Sequence, residues 1–143
     1  MHYQASTNPV ITEFFFVRHA PVIKDAGALP AYDPKILDQA YAVAEISKTL
    51  PQKADWHLSP LQRCRQTAAL FRNILRPESE TMHNALKEQD FGQWHGQKIE
   101  RVWEQINEGP RHNWGFIMPD MVPPRGESFD AQISRVAQWC DAI

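Results

Sequence analysis

Two hydrophobic patterns alternate along the chain: short uninterrupted apolar runs, and longer stretches with a helical repeat. The clearest run lies at 13–18, where Phe14-Phe15-Phe16-Val17 is flanked by polar residues. An apolar run of this length predicts a strand buried on both faces, as in the middle of a parallel sheet. Residues 55–59 predict a second, shorter strand, and residues 81–84 a weaker third.

Helical stripes follow the first two predicted strands. Apolar residues recur at spacings of three and four over 36–50 and again over 61–75, which predicts two helices with one apolar face each. The pairs Asp33-Pro34 and Ser59-Pro60 precede these stripes, and a capping side chain followed by proline is typical of a helix start. The order strand, helix, strand, helix predicts an α/β fold with helices packed on a parallel sheet.

Two more helices are predicted in the second half, at 99–106 and after Ser128, which can act as a cap. The stripe of the last helix continues to the final residue and no stop signal follows it. We therefore expect the physiological chain to be longer, by one strand-helix-strand unit of roughly 40–60 residues. The domain in this sequence is then C-terminally incomplete. The stripe consists of Phe129, Ile133, Val136, Cys140 and Ile143.

Composition places these elements in one domain. The chain has 143 residues, 43% of them hydrophobic, which suits a single core at 13–143 after a flexible polar tail at 1–12. The net charge of −2 argues against nucleic acid or an anionic membrane as partner. The tail lacks a basic signal region and the run at 13–18 is too short to span a membrane, so we expect a cytoplasmic protein. Cys64 and Cys140 match no metal or redox spacing.

Three sites along the sequence could carry chemistry. Arg18-His19 ends the first predicted strand, where ligands of open α/β sheets bind, and it offers a guanidinium fork beside an imidazole. Arg63 falls in the first turn of a helix, where free backbone N–H groups favour anions. Glu88, with Asp90 nearby, could supply a proton to a leaving oxygen. Taken singly, each has a plainer interpretation: a polar strand exit, a solvated helix face, or loop carboxylates in water.

Together these sites belong to an ordered set of motifs that resembles the histidine phosphatase superfamily, whose fold is phosphoglycerate mutase-like. The nearest resemblance is to its bacterial alpha-ribazole phosphatase-like members, over roughly 13–143. It implies a three-layer α/β/α sandwich with a mostly parallel sheet. The motifs are Val17-Arg18-His19-Ala20-Pro21, Ser59-Pro60-Leu61-Gln62-Arg63 with Gln66-Thr67-Ala68, Glu88-Gln89-Asp90-Phe91-Gly92-Gln93-Trp94, and Gly126-Glu127-Ser128.

The resemblance implies a role for four residues. His19 would attack phosphorus and become phosphohistidine, Arg18 and Arg63 would bind the phosphate oxygens, and Glu88 would be the general acid. It implies neither a metal nor another cofactor. The expected activity is that of a phosphomonoesterase of the histidine acid phosphatase type, acting on a small phosphorylated metabolite. Neither the substrate nor a homodimeric state follows from the sequence.

Three departures from the family pattern leave alternatives open. Ala20 replaces the usual glycine after the nucleophile, and Asp25 stands where many members have a phosphate-binding asparagine. The family's second histidine is absent, and His57 and His95, which flank the motifs, are the nearest substitutes. A phosphomutase of the same superfamily and a non-catalytic phosphate-binding domain therefore remain as alternatives. The five histidines outside the nucleophile motif are His2, His57, His83, His95 and His112.

Overall fold

The computed structural model describes residues 11–106 and 118–143. Most of the predicted tail at 1–12 lies outside the described residues. Four helices and two strands are found in the described part, together with 3-10 turns at Asn84–Leu86 and Gly92–Trp94. The elements are α1 (Val43–Ser47), β1 (Asp55–Leu58), α2 (Gln62–Leu75), β2 (Ser79–Met82), α3 (Ile99–Gln105) and α4 (Phe129–Cys140).

The two strands form a parallel pair joined by α2, as the sequence predicts. The register runs from Asp55 opposite Ser79 to Leu58 opposite Met82. Just beyond the pair, the His83 N–H donates to the carbonyl of Leu58 at 2.8 Å. This β1–α2–β2 unit confirms a parallel sheet crossed by a helix, and it places the residues after both strands at one edge.

Helix α2 packs its apolar stripe inward, where Leu61, Ala68, Phe71 and Leu75 are buried. Its first N–H, on Gln62, donates to both carboxylate oxygens of Asp33, at 2.8 and 3.0 Å. The prediction that Asp33 caps the helix after Pro34 is therefore wrong. The loop before Pro34 lies against the start of α2, so the carboxylate caps that helix instead.

The helix predicted at 36–50 is wrong over its first half, because only Val43–Ser47 is helical. The Ile36 N–H donates to Gln66 Oε1 at 3.0 Å, and the Leu37 N–H donates to the carbonyl of Pro21 at 2.8 Å. Backbone groups that are engaged with distant residues do not close helical turns. The segment instead forms an isolated antiparallel bridge between Val22 and Ile36.

The buried strand predicted at 13–18 is not formed. The segment has no strand pairing, and its apolar side chains are exposed, to 89% at Phe16. A strand requires a neighbour for its N–H and C=O groups. In the described part of the chain β1 and β2 pair only with each other, so residues 13–18 lack such a neighbour.

Helix α4 begins as predicted, because Ser128 Oγ accepts from the Ala131 N–H at 3.1 Å. It ends at Cys140 with Asp141 as C-cap, so the prediction that it extends to Ile143 is wrong. Its stripe is also not buried: Phe129 is 42% and Ile133 51% exposed. No helix in the described ranges is both long and apolar enough to cross a membrane.

A second cluster of buried residues supports the loop that carries Glu88. It is formed by Leu29, Phe91, Trp94 and Val102. Gly92 and Gly126 bring the backbones of residues 90–92 and 124–126 into close contact, since a Cβ on either glycine would collide with the other segment. The Glu127 N–H donates to the carbonyl of Asp90 at 2.9 Å across this contact.

Candidate active site

Arg63 is the buried centre of the candidate site. It lies in the first turn of α2 and its side chain is 4% exposed. Nη2 donates to Glu88 Oε2 at 2.6 Å, and Nη1 donates to the carbonyl of Tyr32 at 3.1 Å. Asp33 Oδ1 lies 3.7 Å from Nη1. The fold thus joins Arg63 and Glu88, two of the residues that the sequence singled out, although they lie 25 positions apart.

The free N-terminus of α2 that the sequence predicted as an anion site is partly occupied. The carboxylate of Asp33 accepts the Gln62 N–H and adds a negative charge beside Arg63. Helix termini attract anions through unpaired N–H groups. At this helix the capping carboxylate already uses one of those groups, so an added anion would find fewer free N–H donors here.

The nucleophile candidate His19 is partly buried, and its ring nitrogen Nδ1 lies 2.7 Å from the carbonyl oxygen of Ala20. A carbonyl oxygen only accepts, so Nδ1 carries the proton in this contact. In the neutral ring Nε2 then holds the free lone pair. The arrangement therefore leaves Nε2 as the nitrogen that can attack an electrophile.

Thr67 connects the His19 segment to the helix turn that carries Arg63. Its hydroxyl accepts from the Ala20 N–H at 2.9 Å and donates to the carbonyl of Arg63 at 2.7 Å. The sequence placed Thr67 in a motif but assigned it no role. The signal was its position one helical turn after Arg63, on the same face of α2.

Arg18, the second arginine among the site candidates, does not join the Arg63–Glu88 pair. Its side chain is exposed, and it forms no ion pair among the residues described. Asp25 is also exposed, and its carbonyl accepts the Ala28 N–H in a tight turn. Asp25, which replaces the family's phosphate-binding asparagine, therefore forms part of the turn at residues 25–28.

The loop before and at Glu88 is bound by Arg135, which sequence reasoning missed. The guanidinium donates to the carbonyls of Ala85 and Lys87 at 2.5 and 2.7 Å. It also forms a two-point pair with Glu127, with Nη2–Oε1 at 2.6 Å and Nε–Oε2 at 3.0 Å. These hydrogen bonds hold the pKa of Glu127 below its ordinary value, against the opposing effect of burial. The sequence did contain one signal for this pair. Glu127 lies in a family motif just before an amphipathic helix, and an arginine on that helix is a natural partner for its carboxylate.

The two histidines considered as substitutes have other partners. His95 Nε2 lies 3.0 Å from Asp90 Oδ1, and His95 Nδ1 lies 3.1 Å from the carbonyl of Pro30. His57 Nδ1 lies 2.9 Å from His83 Nε2, and Trp139 packs against both of these rings. Neither histidine forms a hydrogen bond with Arg63 or Glu88 in the described structure.

Cys64 lies next to Arg63 in sequence, but its pKa is raised, so the side chain remains a thiol. Partial burial is the largest effect and raises its pKa, which the hydrogen bond with Ser59 and the charge of Arg63 oppose only in part. A thiol is a weak nucleophile compared with a thiolate. In the described ranges, no three side chains of His, Cys, Asp or Glu converge as a metal site would require. Among the site candidates, Arg63 and Glu88 are in direct contact, and Thr67 joins the backbone after His19 to the carbonyl of Arg63.

Comparison with known proteins bears on the family and the fold. The model of the histidine phosphatase superfamily (branch 1) matches residues 33–143, which include Arg63 and Glu88, whereas Arg18 and His19 precede the match. No curated protein sequence matches the chain significantly.

Several solved structures share the fold. A mycobacterial glucosyl-3-phosphoglycerate phosphatase has a TM-score of 0.68 at 20% identity, and the match covers 87% of this chain and 59% of that one. Protein TTHB049 of Thermus thermophilus has a TM-score of 0.65 at 26% identity, covering 89% and 70%. Mycobacterial hydrolase 1 has a TM-score of 0.66 at 20% identity, covering 87% and 61%. This chain thus spans less than two thirds of either mycobacterial protein. The α/β fold expected from the motifs is confirmed, and the chain belongs to the histidine phosphatase superfamily.

Proposed function

We propose that the chain carries the phosphate-binding centre of a phosphomonoesterase that acts through a phosphohistidine at His19. The direct contact between Arg63 and Glu88 at 2.6 Å supports this most strongly. It joins a cation for the phosphate with a carboxyl group for the leaving oxygen, the two groups that phosphoryl transfer from an alkyl ester requires. The substrate would be a small phosphorylated metabolite, and the reaction needs neither a metal nor another cofactor.

In the first step, the lone pair on His19 Nε2 attacks phosphorus and the bond from phosphorus to the ester oxygen breaks. The Nδ1–H to Ala20 contact orients the ring for this attack, because it keeps the proton on the other nitrogen. Glu88, as a neutral acid, donates its proton to the departing alkoxide. The products of this step are the free alcohol and phosphohistidine.

In the second step, water attacks the phosphorus of phosphohistidine. Glu88, now a carboxylate, accepts a proton from this water, and the nitrogen–phosphorus bond breaks. Inorganic phosphate leaves, and both His19 and Glu88 return to their starting states. A single carboxyl group thus serves as acid and then as base.

Arg63 would neutralise the phosphoryl oxygens in both steps. Its guanidinium is buried, whereas the side chain of Glu88 is 52% exposed. A phosphate dianion that approaches Arg63 competes with Glu88 for the same N–H donors. Substrate binding therefore frees the Glu88 carboxyl group to face the leaving oxygen. Arg18, beside His19, would supply a second cation to the same phosphate.

The test is covalent labelling. We expect the protein, incubated with p-nitrophenyl phosphate, to gain one acid-labile phosphate per chain. His19→Ala should lose the label and at least about 10³-fold in turnover, since covalent catalysis depends on that group. His57→Ala is the matched control and should keep the label. Label or turnover that survives in His19→Ala and disappears in His57→Ala would contradict the assignment.

A non-catalytic phosphate-binding domain is the second candidate, favoured by the unpaired segment 13–18 that carries His19 at its end. Such a domain would bind inorganic phosphate through Arg63 but would form no phosphohistidine. A phosphomutase would form phosphohistidine and pass the phosphate to an added alcohol. Measuring the label, the released phosphate and the transferred phosphate in one experiment separates the three.

A further inference from the structure

His95 joins the loop that carries Glu88 to a second loop at Pro30, and its side chain is only 15% exposed. The ring nitrogen Nδ1 lies 3.1 Å from the carbonyl oxygen of Pro30. The other nitrogen, Nε2, lies 3.0 Å from the backbone nitrogen of Phe91 and 3.0 Å from Asp90 Oδ1. One side chain thus contacts both loops, although Pro30 and His95 are 65 positions apart.

The partners of the two ring nitrogens determine how the imidazole holds the loops. A carbonyl oxygen only accepts, so Nδ1 donates its proton to Pro30. In the neutral ring Nε2 is an acceptor, and the Phe91 N–H donates to it. In the imidazolium ring Nε2 carries a proton and pairs instead with the Asp90 carboxylate. Because Phe91 and Asp90 both belong to the loop of Glu88, His95 binds that loop in either protonation state.

Glu88 lies between two anchors of its loop. On the N-terminal side, Arg135 donates to the carbonyl of the residue before Glu88 and to that of Glu88 itself, at 2.7 and 3.3 Å. On the C-terminal side, His95 accepts from the N–H of Phe91. The side chain of Glu88 is 52% exposed, so its position depends on the backbone that carries it more than on packing. Loss of either anchor should therefore displace the carboxyl group.

The second loop contacts Arg63, the cation of the candidate site. The Tyr32 carbonyl accepts from Arg63 Nη1 at 3.1 Å, and the Tyr32 ring packs edge-on against the ring of His95, with centroids 5.2 Å apart. These three residues and Glu88 are among those that line a small cavity of about 10 Å³. Such a space has room for about one water molecule and not for part of an ester. His95 therefore acts on the site through the two loops and not by contact with a substrate.

From these contacts we infer that His95 is a positioning residue, which fixes Glu88 against Arg63 and against the leaving oxygen. The inference rests on the proposed function, since it concerns the proton that Glu88 donates in the first step. Arg63 belongs to the regular helix α2 and keeps its other partners without His95, whereas the loop of Glu88 would lose an anchor. A displaced acid slows proton transfer but leaves the cation for the phosphate in place.

The test measures how fast His19 is phosphorylated, in single-turnover experiments at saturating propyl phosphate or p-nitrophenyl phosphate. Only the propyl ester needs a proton on its leaving oxygen, because p-nitrophenolate departs without one. His95→Phe keeps an aromatic ring against Tyr32 but removes both ring nitrogens. We expect it to lower the rate from propyl phosphate by about 10- to 100-fold. The rate from p-nitrophenyl phosphate should fall by less than about threefold.

Two further variants show what the effect depends on. Glutamine keeps a donor and an acceptor but reaches fewer of the three partners than imidazole does, so His95→Gln should fall between wild type and His95→Phe. His57→Phe is the matched control, because the ring of His57 contacts His83 and Trp139 and not the Arg63–Glu88 pair. It should keep the wild-type ratio of the two rates. Thermal unfolding of each variant shows whether it folds.

A wild-type ratio of the two rates in His95→Phe, whether both rates are unchanged or both fall alike, would overturn the positioning role, because general damage to the fold slows both reactions equally. If His95→Phe does not fold, His95→Gln decides: a selective loss for propyl phosphate supports the role, and a wild-type ratio overturns it. Failure of the proposed function looks different. The wild-type protein would then form no phosphohistidine with either ester, and the role of His95 would fall with it.

Discussion

Arg63 and Glu88 form an ion pair in which the cation is buried and the anion is not. Nη2 and Oε2 are 2.6 Å apart, and the side chains are 4% and 52% exposed. Arg63 keeps two more oxygens close by, the Tyr32 carbonyl and the Asp33 carboxylate, so it stays partly compensated when Glu88 turns away. Loss of the Glu88 contact would therefore not isolate a buried charge, as the proposed acid role of Glu88 requires.

Glu88→Gln should separate acid catalysis from binding. An amide keeps the hydrogen bond to Arg63 but cannot donate the required proton, so alkyl phosphates should lose about 10²-fold or more in kcat. p-Nitrophenyl phosphate, whose leaving group departs without a proton, should lose much less. The measurement is kcat for both esters in both proteins. Equal losses on both would mean that Glu88 acts structurally, and Asp90→Asn would then be the variant to examine.

Thr67→Val should disconnect the His19 segment from α2 while preserving the side-chain shape. The change removes the hydroxyl that accepts from the Ala20 N–H and donates to the Arg63 carbonyl. We expect a loss of about 1–2 kcal/mol in the free energy of unfolding, as for an unsatisfied buried polar group, and a lower rate of phosphohistidine formation.

Ser134→Ala is the matched control for Thr67→Val. Ser134 donates to a carbonyl four residues earlier in an exposed helix, as Thr67 does in α2, but it connects no second segment. Its removal should change unfolding by less than about 0.5 kcal/mol and leave labelling of His19 intact. A similar loss of labelling in both variants would show that Thr67 has no special connection to His19.

Chelation tests the proposed phosphohistidine route against metal-assisted hydrolysis. The proposed steps use only His19, Glu88 and cationic side chains. Turnover of p-nitrophenyl phosphate should therefore persist after dialysis against excess EDTA, within about twofold of the untreated protein. Loss in EDTA with recovery on adding a divalent ion would instead favour a metal-bound water as the nucleophile.

The sequence predicts well the elements that local signals determine. For α2 the apolar spacing and the Ser59-Pro60 start coincide within a few residues of the observed helix, and Pro77 follows its end. The start of α4 was predicted from Ser128, whose side chain does cap it. The cap of α4 lies within its own first turn, whereas the carboxylate that caps α2 comes from Asp33, 29 positions before Gln62.

Where the sequence-based prediction was wrong, contacts with residues distant in sequence determined the structure. Residues 13–18 have the composition of a buried strand, but pairing depends on a neighbour that composition does not reveal. Ile36 and Leu37 have helical spacing, yet their N–H groups bond to Gln66 and Pro21. Arg135 likewise had no visible role, because the carbonyls of Ala85 and Lys87 become its partners only after the chain folds.

The Glu127–Arg135 pair should make stability sensitive to acid. The hydrogen bonds from Arg135 lower the pKa of Glu127 in the folded state, so the folded protein binds this proton less readily than the unfolded chain. The resulting stabilisation is fully present above the unfolded pKa and is lost as the pH falls through the depressed folded pKa, below about pH 4. Glu127→Gln should therefore lower the free energy of unfolding by about 2 kcal/mol near pH 7, and the difference from wild type should shrink as the pH approaches 3.

Glu45→Gln is the control, because it removes an exposed pair with Lys48 and should change the free energy of unfolding little. The check is urea unfolding of the three proteins between pH 3 and pH 7, and a difference for Glu127→Gln that is the same at both ends would mean that the pair contributes no linkage to protons.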